Sequence, residues 1–167
     1  MKVKKTGDFT HMDKEGRVKM IDVTGKNKTL RTAKARGYII LNKEIISKIR
    51  GNRLKKGNVF AVARIAGIGA AKRNWELIPL CHQVKLTHID LNFRIIEKEN
   101  KIGAEVSVKG YDATGVEMEA LTAVSLSMLT IYDMCKSMSK SIKIGGIELI
   151  EKTGGKADYI KDSAGNN

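Results

Sequence analysis

From Ile89 to Ile95 apolar and polar residues alternate without a break: Asp90, Asn92 and Arg94 separate Ile89, Leu91, Phe93 and Ile95. An apolar residue at every second position is the pattern of a strand with one buried face. The alternation returns more weakly from Ile102 to Val108, and Asn100 to Gly103 supply turn residues between, so a hairpin is predicted. Gly37-Tyr-Ile-Ile-Leu41 reads as a short strand. A last strand is expected from about Ile142 to Glu151, interrupted by Gly145-Gly146.

Between these runs the period changes to that of a helix. Asn42 can cap a helix with Ile45, Ile46 and Ile49 on one side, closed by Gly51. Asn58 stands in the same relation to a second helix, Val59 to Arg73. Its alanines and glycines allow a neighbour close, despite the helix cost of Gly67 and Gly69. Pro79 then breaks the chain. Thr114 is the expected cap of the longest helix, about Val116 to Ser139. Val116, Ala120, Ala123, Val124, Ser127, Met128 and Ile131 form its apolar stripe. Asp22-Val-Thr-Gly-Lys-Asn reads as a turn, and no internal repeat is evident. The predicted class is α+β, with helices packed on one face of an antiparallel sheet.

Composition narrows the partner more than the fold. At 167 residues and 42% hydrophobic, the chain suits a single domain spanning 1–167, with 1–20 and 157–167 expected as flexible arms. Lys and Arg total 31 against 18 Asp and Glu, a formal charge of +13. That excess attracts nucleic acid, an anionic membrane surface or a phosphorylated small molecule. The basic residues are dispersed, no helix gathers them on one face, and aromatics at 5% leave few stacking platforms for single strands. A phosphorylated small molecule is therefore preferred, and a basic nucleic-acid-binding module without catalytic activity is the alternative. No apolar run reaches the length of a membrane span. Cys81 and Cys135 are too far apart for a C-x-x-C zinc site. With no secretory signal pattern, reduced thiols and a cytoplasmic location are expected.

Several short motifs carry candidate chemistry. Gly67-Ile-Gly-Ala-Ala-Lys72 lacks the G-K-[ST] ending of a phosphate loop and sits in a helical stretch, so helix packing is the better role for its glycines. Lys72 and Arg73 remain candidate phosphate contacts. Cys81-His82 follows Pro79, where irregular backbone can present polar groups to a pocket. Glu117 and Glu119 open the long helix, where its dipole favours carboxylates. Asp133 and Lys136 are three residues apart on that helix. They fit an ordinary surface ion pair, or equally a partly buried pair serving as acid and base.

Longer stretches add a resemblance. Arg64-Ile-Ala-Gly-Ile-Gly-Ala-Ala-Lys-Arg-Asn-Trp-Glu-Leu-Ile-Pro-Leu-Cys-His82 is similar to the signature of cyclic pyranopterin monophosphate synthases. So are Thr114-Gly-Val-Glu-Met-Glu-Ala-Leu-Thr-Ala123 and Leu129-Thr-Ile-Tyr-Asp-Met-Cys-Lys136. Asp22-Val-Thr and Lys152-Thr-Gly-Gly-Lys156 match as well, in the family's order over nearly the whole chain.

The resemblance implies a ferredoxin-like fold and a homohexamer built as a trimer of dimers. It implies a lyase of molybdenum-cofactor biosynthesis that converts 3′,8-cyclo-7,8-dihydro-GTP to cyclic pyranopterin monophosphate and expels pyrophosphate. The family's catalytic residues fall on Asp133, Lys136 and Lys56. Its substrate contacts fall on Leu80, Cys81 and His82 and on Met118 and Glu119, with Glu117 beside them. Arg31 and Lys72 match cationic positions suited to the triphosphate. No resident cofactor or metal is implied beyond Mg2+ carried by that triphosphate. Two positions depart from the common pattern: Ala113 stands where many members carry Lys or Arg, and Gln83 where many carry Pro.

Overall fold

The computed structural model describes residues 15–161. The strands are β1 (Thr29–Ile40), β2 (Leu86–Ile96), β3 (Lys101–Asp112), β4 (Lys143–Thr153) and β5 (Tyr159–Ile160). They form one antiparallel sheet in the order β2-β3-β1-β4-β5. Helices α1 (Lys43–Arg50), α2 (Val59–Lys72) and α3 (Asn74–Leu77) connect β1 to β2, and α4 (Glu117–Cys135) connects β3 to β4. This β-α-β-β-α-β succession is the ferredoxin-like arrangement, so the expected α+β class holds. Helix α4 lies across β1, β3 and β4, and α2 packs beside it and against β2. Among the described residues no helix is long and apolar enough to cross a membrane.

The first strand runs twelve residues, far longer than Gly37–Leu41. Its inward positions are Ala33, Ala35, Gly37 and Ile39, all buried, while Lys34 and Arg36 point to the other face. Alanine and glycine at the inward sites conceal the alternation, because neither registers as hydrophobic. Their small size has a cause. A Cβ at Gly37 would stand 3.1 Å from Ile147 of β4 and 3.2 Å from Val124 of α4, so at this position the strand stays slim where the helix lies on it. The paired β2 and β3 supply bulk instead through Leu91, Ile102, Val106 and Val108.

Two helix starts occur where asparagine predicts them. Asn42 accepts a hydrogen bond from Ile45 N at 2.8 Å and Asn58 one from Ala61 N at 3.1 Å. Helix α1 ends at Gly51, but the left-handed residue is Asn52, with φ 50°. Thr114 does not cap α4: Val116 occupies the cap position and no side chain bonds there. Helix α4 also stops at Cys135 rather than Ser139, since Lys136-Ser-Met-Ser-Lys140 offers little apolar surface to bury. All seven residues of the expected stripe are buried.

Gly67 is where α2 meets α4. A Cβ there would come 2.6 Å from Leu91 Cδ1 and 2.9 Å from the Ala123 carbonyl oxygen, whereas the nearest atom to one at Gly69 is 3.9 Å away. Only the first glycine serves packing. Gly145-Gly146 does not interrupt β4, which runs unbroken from Lys143 to Thr153; the glycines mark instead the place where its register to β1 shifts. Beyond it, Tyr159 and Ile160 pair with β4 in a stretch expected to be a flexible arm. Residues 1–14 of the other expected arm lie outside the described residues.

The sheet face away from α2 and α4 is polar. Between β1 and β4 the pairs Thr32–Thr153, Lys34–Glu151 and Arg36–Glu148 meet at 2.7, 2.8 and 2.6 Å.

Candidate active site

Helix α4 separates the expected site residues into two groups. Glu117, Met118 and Glu119 open it and Asp133 stands in its last turn. Fourteen residues divide Glu119 from Asp133, about 21 Å along the axis of an unbroken α-helix. Helix α2 runs antiparallel beside it, so its ends reach both groups. Lys56 precedes α2 near Asp133, while Lys72 and Asn74 follow near Glu119.

At the far end, Asp133 is shared by two cations. Lys136 Nζ lies 2.6 Å from Oδ1, and Lys56 Nζ donates to Oδ2 at 3.3 Å and to the Asp133 carbonyl at 3.0 Å. The Lys136 hydrogen bond, then that of Lys56, holds the Asp133 carboxyl below its ordinary range, and Asp133 in turn raises Lys136. The side chains are about half exposed, 57% for Asp133 and 54% for Lys136. Of the two readings left open by the spacing, this chain by itself shows the exposed ion pair. The pKa values are driven apart, because solvent remains and the partner charge dominates. Beside the pair, burial pushes the Cys135 thiol up to about 11, so it is a protonated core group.

At the near end, Leu80, Cys81, His82, Glu117, Met118 and Glu119 line one pocket of about 210 Å³. Lys26 reaches the same pocket from the turn before β1, and Thr114 lines it too. That turn is built as expected, with Thr24 N donating to Asp22 Oδ1 at 2.8 Å. Asp112 ties the approach together: its Oδ2 accepts from Lys85 N at 3.0 Å and its Oδ1 from Ala113 N at 2.8 Å. The Lys85 amide bond, chiefly, lowers the Asp112 pKa. Lys152 of β4 faces Glu117 at 3.4 Å.

Glu119 differs from its neighbours. It is 4% exposed, Asn74 Nδ2 donates to its Oε1 at 2.9 Å, and its Oε2 has no hydrogen-bond partner. Burial raises its carboxyl pKa, its own main-chain N–H and then the Asn74 bond oppose the rise, and Glu117 adds to it. Burial likewise raises the Cys81 thiol. Both cysteines are free.

Arg31 is more constrained than a free phosphate contact. Its Nε donates to the Asp112 carbonyl at 3.2 Å and its terminal nitrogen to that of Ala113 at 3.1 Å, bracing the loop into α4. Lys72 is exposed at the end of α2. Ala113, at the departure from the common pattern, is buried. A larger groove of about 750 Å³ opens on the polar sheet face beside Arg36, Tyr38 and Lys101, but none of the expected site residues lines it.

Asn74, Asp112 and Lys152 have no role in the sequence reading. The first leaves no distinctive signal, because an asparagine just past the expected helix end at Arg73 is an ordinary terminal residue. Asp112 and Lys152 lie on strands whose neighbours are unknown until the sheet is assembled.

A family model described as "MoaC family" matches residues 20–155. The chain is similar to the cyclic pyranopterin monophosphate synthase of Peptoclostridium acidaminophilum, 48% identical over 157 residues, covering 93% of this chain and 99% of that one. The protein of the same name from Heliobacterium modesticaldum is 49% identical over 155 residues, 92% of this chain and 98% of the relative. That from Desulforapulum autotrophicum is 50% identical over 160 residues, 95% and 98% respectively.

Proposed function

The chain belongs to the MoaC family, and on that premise we propose how its two side-chain groups divide the work of one reaction. The protein is an enzyme of molybdenum-cofactor biosynthesis, a lyase with the activity of a cyclic pyranopterin monophosphate synthase. It takes 3′,8-cyclo-7,8-dihydro-GTP to the cyclic pyranopterin monophosphate and releases pyrophosphate.

The observation that carries the assignment of roles is Asp133 held between Lys56 and Lys136. Opening a reduced imidazole ring and closing a pyrazine require several proton transfers, hence several acid–base groups of unlike pKa. Asp133 serves as base and Lys136 as acid, with Lys56 holding the aspartate by its side chain and its carbonyl. Expelling pyrophosphate develops negative charge that fixed cations stabilise. Lys72 and Lys26 supply such charge at the near end, and Arg31 orients the loop that receives the phosphates. The chemistry needs no resident cofactor, and Mg2+ arrives with the substrate triphosphate. The pocket lined by Leu80, Cys81, His82 and the start of α4 receives the ring system.

Separation of the groups by about 21 Å along α4 favours a site shared between subunits. Helix α2 is apolar on nearly all sides, and Val62, Ile65 and Leu129 are exposed on the outer helical layer. A helix apolar all round is one that is meant to be covered. If a second subunit covers this layer across a two-fold axis with α4 antiparallel to its counterpart, the start of one α4 meets the end of the other. Covering also removes the solvent that keeps the Asp133–Lys136 pair an ordinary ion pair. A hexamer of three such dimers, working in the cytoplasm, completes the reading.

The test is turnover. Purified protein incubated with the cyclised dihydro-GTP should release pyrophosphate in step with pterin formation, and salt-dependent RNA binding without turnover would favour the nucleic-acid reading instead.

A further inference from the structure

Asn74 is completely buried at the first residue of α3. Its Oδ1 accepts from Thr122 Oγ1 at 2.6 Å, and its Nδ2 donates to Glu119 Oε1 at 2.9 Å. With the Thr122 hydroxyl donating on one side, the amide cannot flip without losing both bonds, so its NH2 group is kept toward Glu119.

The carboxyl it holds is incomplete. Glu119 lines the substrate pocket, yet Oε2 has no partner. A buried carboxylate with one bare oxygen is costly, whereas a proton on that oxygen removes the charge and creates a donor for a bound molecule to use. The groups around it do not supply a compensating cation. Glu117 on the same helix is paired with Lys152, Cys81 and His82 come from the loop after α3, and Lys26 lines the same pocket with no ion pair to Glu119.

We propose that Asn74 is a positioning residue for the reaction: by binding Oε1 of Glu119 it leaves Oε2 as the protonated, donating end of a neutral carboxyl on a residue that lines the substrate pocket. This rests on the assignment of that pocket to the substrate. Thr122 is the second member of the device, because it orients the amide. Asn74 touches no substrate itself; it decides which carboxyl oxygen accepts and which donates, and how readily the proton leaves. Losing its N–H makes the carboxylate form less favourable, so the Glu119 proton should be held to higher pH.

The experiment combines a titration with kinetics on the intact protein. Side-chain carboxyl signals are followed by carbon-13 NMR across pH, with Glu119→Gln used to assign Glu119. In both Asn74→Ala and Thr122→Val the Glu119 midpoint should move to higher pH, less in the second. With the cyclised dihydro-GTP, kcat should fall about 10-fold in Asn74→Ala while KM stays within about 3-fold, and the pH-rate limb belonging to Glu119 should move with the NMR midpoint. A folded variant whose Glu119 midpoint and kcat match wild type overturns the proposal, as does a loss confined to KM. If Asn74→Ala does not fold, Thr122→Val decides alone. Absence of turnover in wild type would refute the assigned reaction, and the NMR arm would still decide whether Asn74 sets the Glu119 proton.

Discussion

Lys56 grips Asp133 twice, donating to its main-chain carbonyl at 3.0 Å and to its Oδ2 at 3.3 Å. One lysine from the loop before α2 thus both satisfies a carbonyl in the last turn of α4 and orients the aspartate carried there. The other carboxylate oxygen is left to Lys136, three residues on. A residue held at both its carbonyl and its carboxylate has little freedom to turn.

Removing either of the proposed proton-transfer groups, Asp133 or Lys136, should therefore abolish catalysis while sparing the fold. Asp133→Asn and Lys136→Ala should each lower kcat by at least about 100-fold, the usual scale for a general acid or base. Both side chains are exposed, so the urea midpoint should barely move. Lys56→Ala should also lower kcat, since the aspartate then loses its second anchor. Wild-type activity in the purified Asp133 or Lys136 variant would end the acid–base assignment.

Glu119 should leave a mark on stability as a function of pH. Its folded pKa is raised above the ordinary 4.5, chiefly by burial. The folded state then binds more protons than the unfolded state once pH exceeds that ordinary value. Stability falls as pH rises from there through the raised pKa. Glu119→Gln has no proton to lose, so urea unfolding from pH 4 to 8 should show a variant increasingly favoured over wild type as pH rises. Parallel curves would mean that Glu119 titrates normally.

The two glycines of α2 should respond oppositely to alanine. At Gly67 the added methyl meets Leu91, Ser127 and the Ala123 carbonyl, one of them backbone, so Gly67→Ala should cost about 1–3 kcal/mol. At Gly69 the space is open, and Gly69→Ala should gain about 0.5–1 kcal/mol from helix propensity. Denaturant unfolding of the two variants measures both; a stabilised Gly67→Ala would mean α2 and α4 can separate freely.

Sharing of the site between subunits is open to complementation. An inactive Asp133→Asn protein is dissociated and reassembled with an inactive His82→Ala protein, and mixed oligomers are confirmed by mass. In each mixed interface one pocket collects both lesions and the other is intact, so roughly a quarter of pockets should recover under random mixing. No recovery would place a complete site within each chain.

The chain's own pattern determined a good deal. Strict alternation in Ile89–Ile95, the caps Asn42 and Asn58, and the stripe from Val116 to Ile131 are local signals, written by residues within a turn or two of one another. They located β2, α1, α2 and α4, and the long motifs pointed to the family. Where local signals were weak or misleading, the assembled fold decided. Most of β1 was invisible because its inward residues Ala33, Ala35 and Gly37 are small, and at Gly37 the crowding comes from Ile147 and Val124, residues 110 and 87 positions away. Thr114 has the chemistry of a cap, but it lines the pocket and α4 begins without it. The carboxylates of Glu117 and Glu119 look alike in sequence. Only the fold gives one a lysine from β4 and the other a buried asparagine, because burial and partners are properties of the packed layers, and spacing along the chain carries neither.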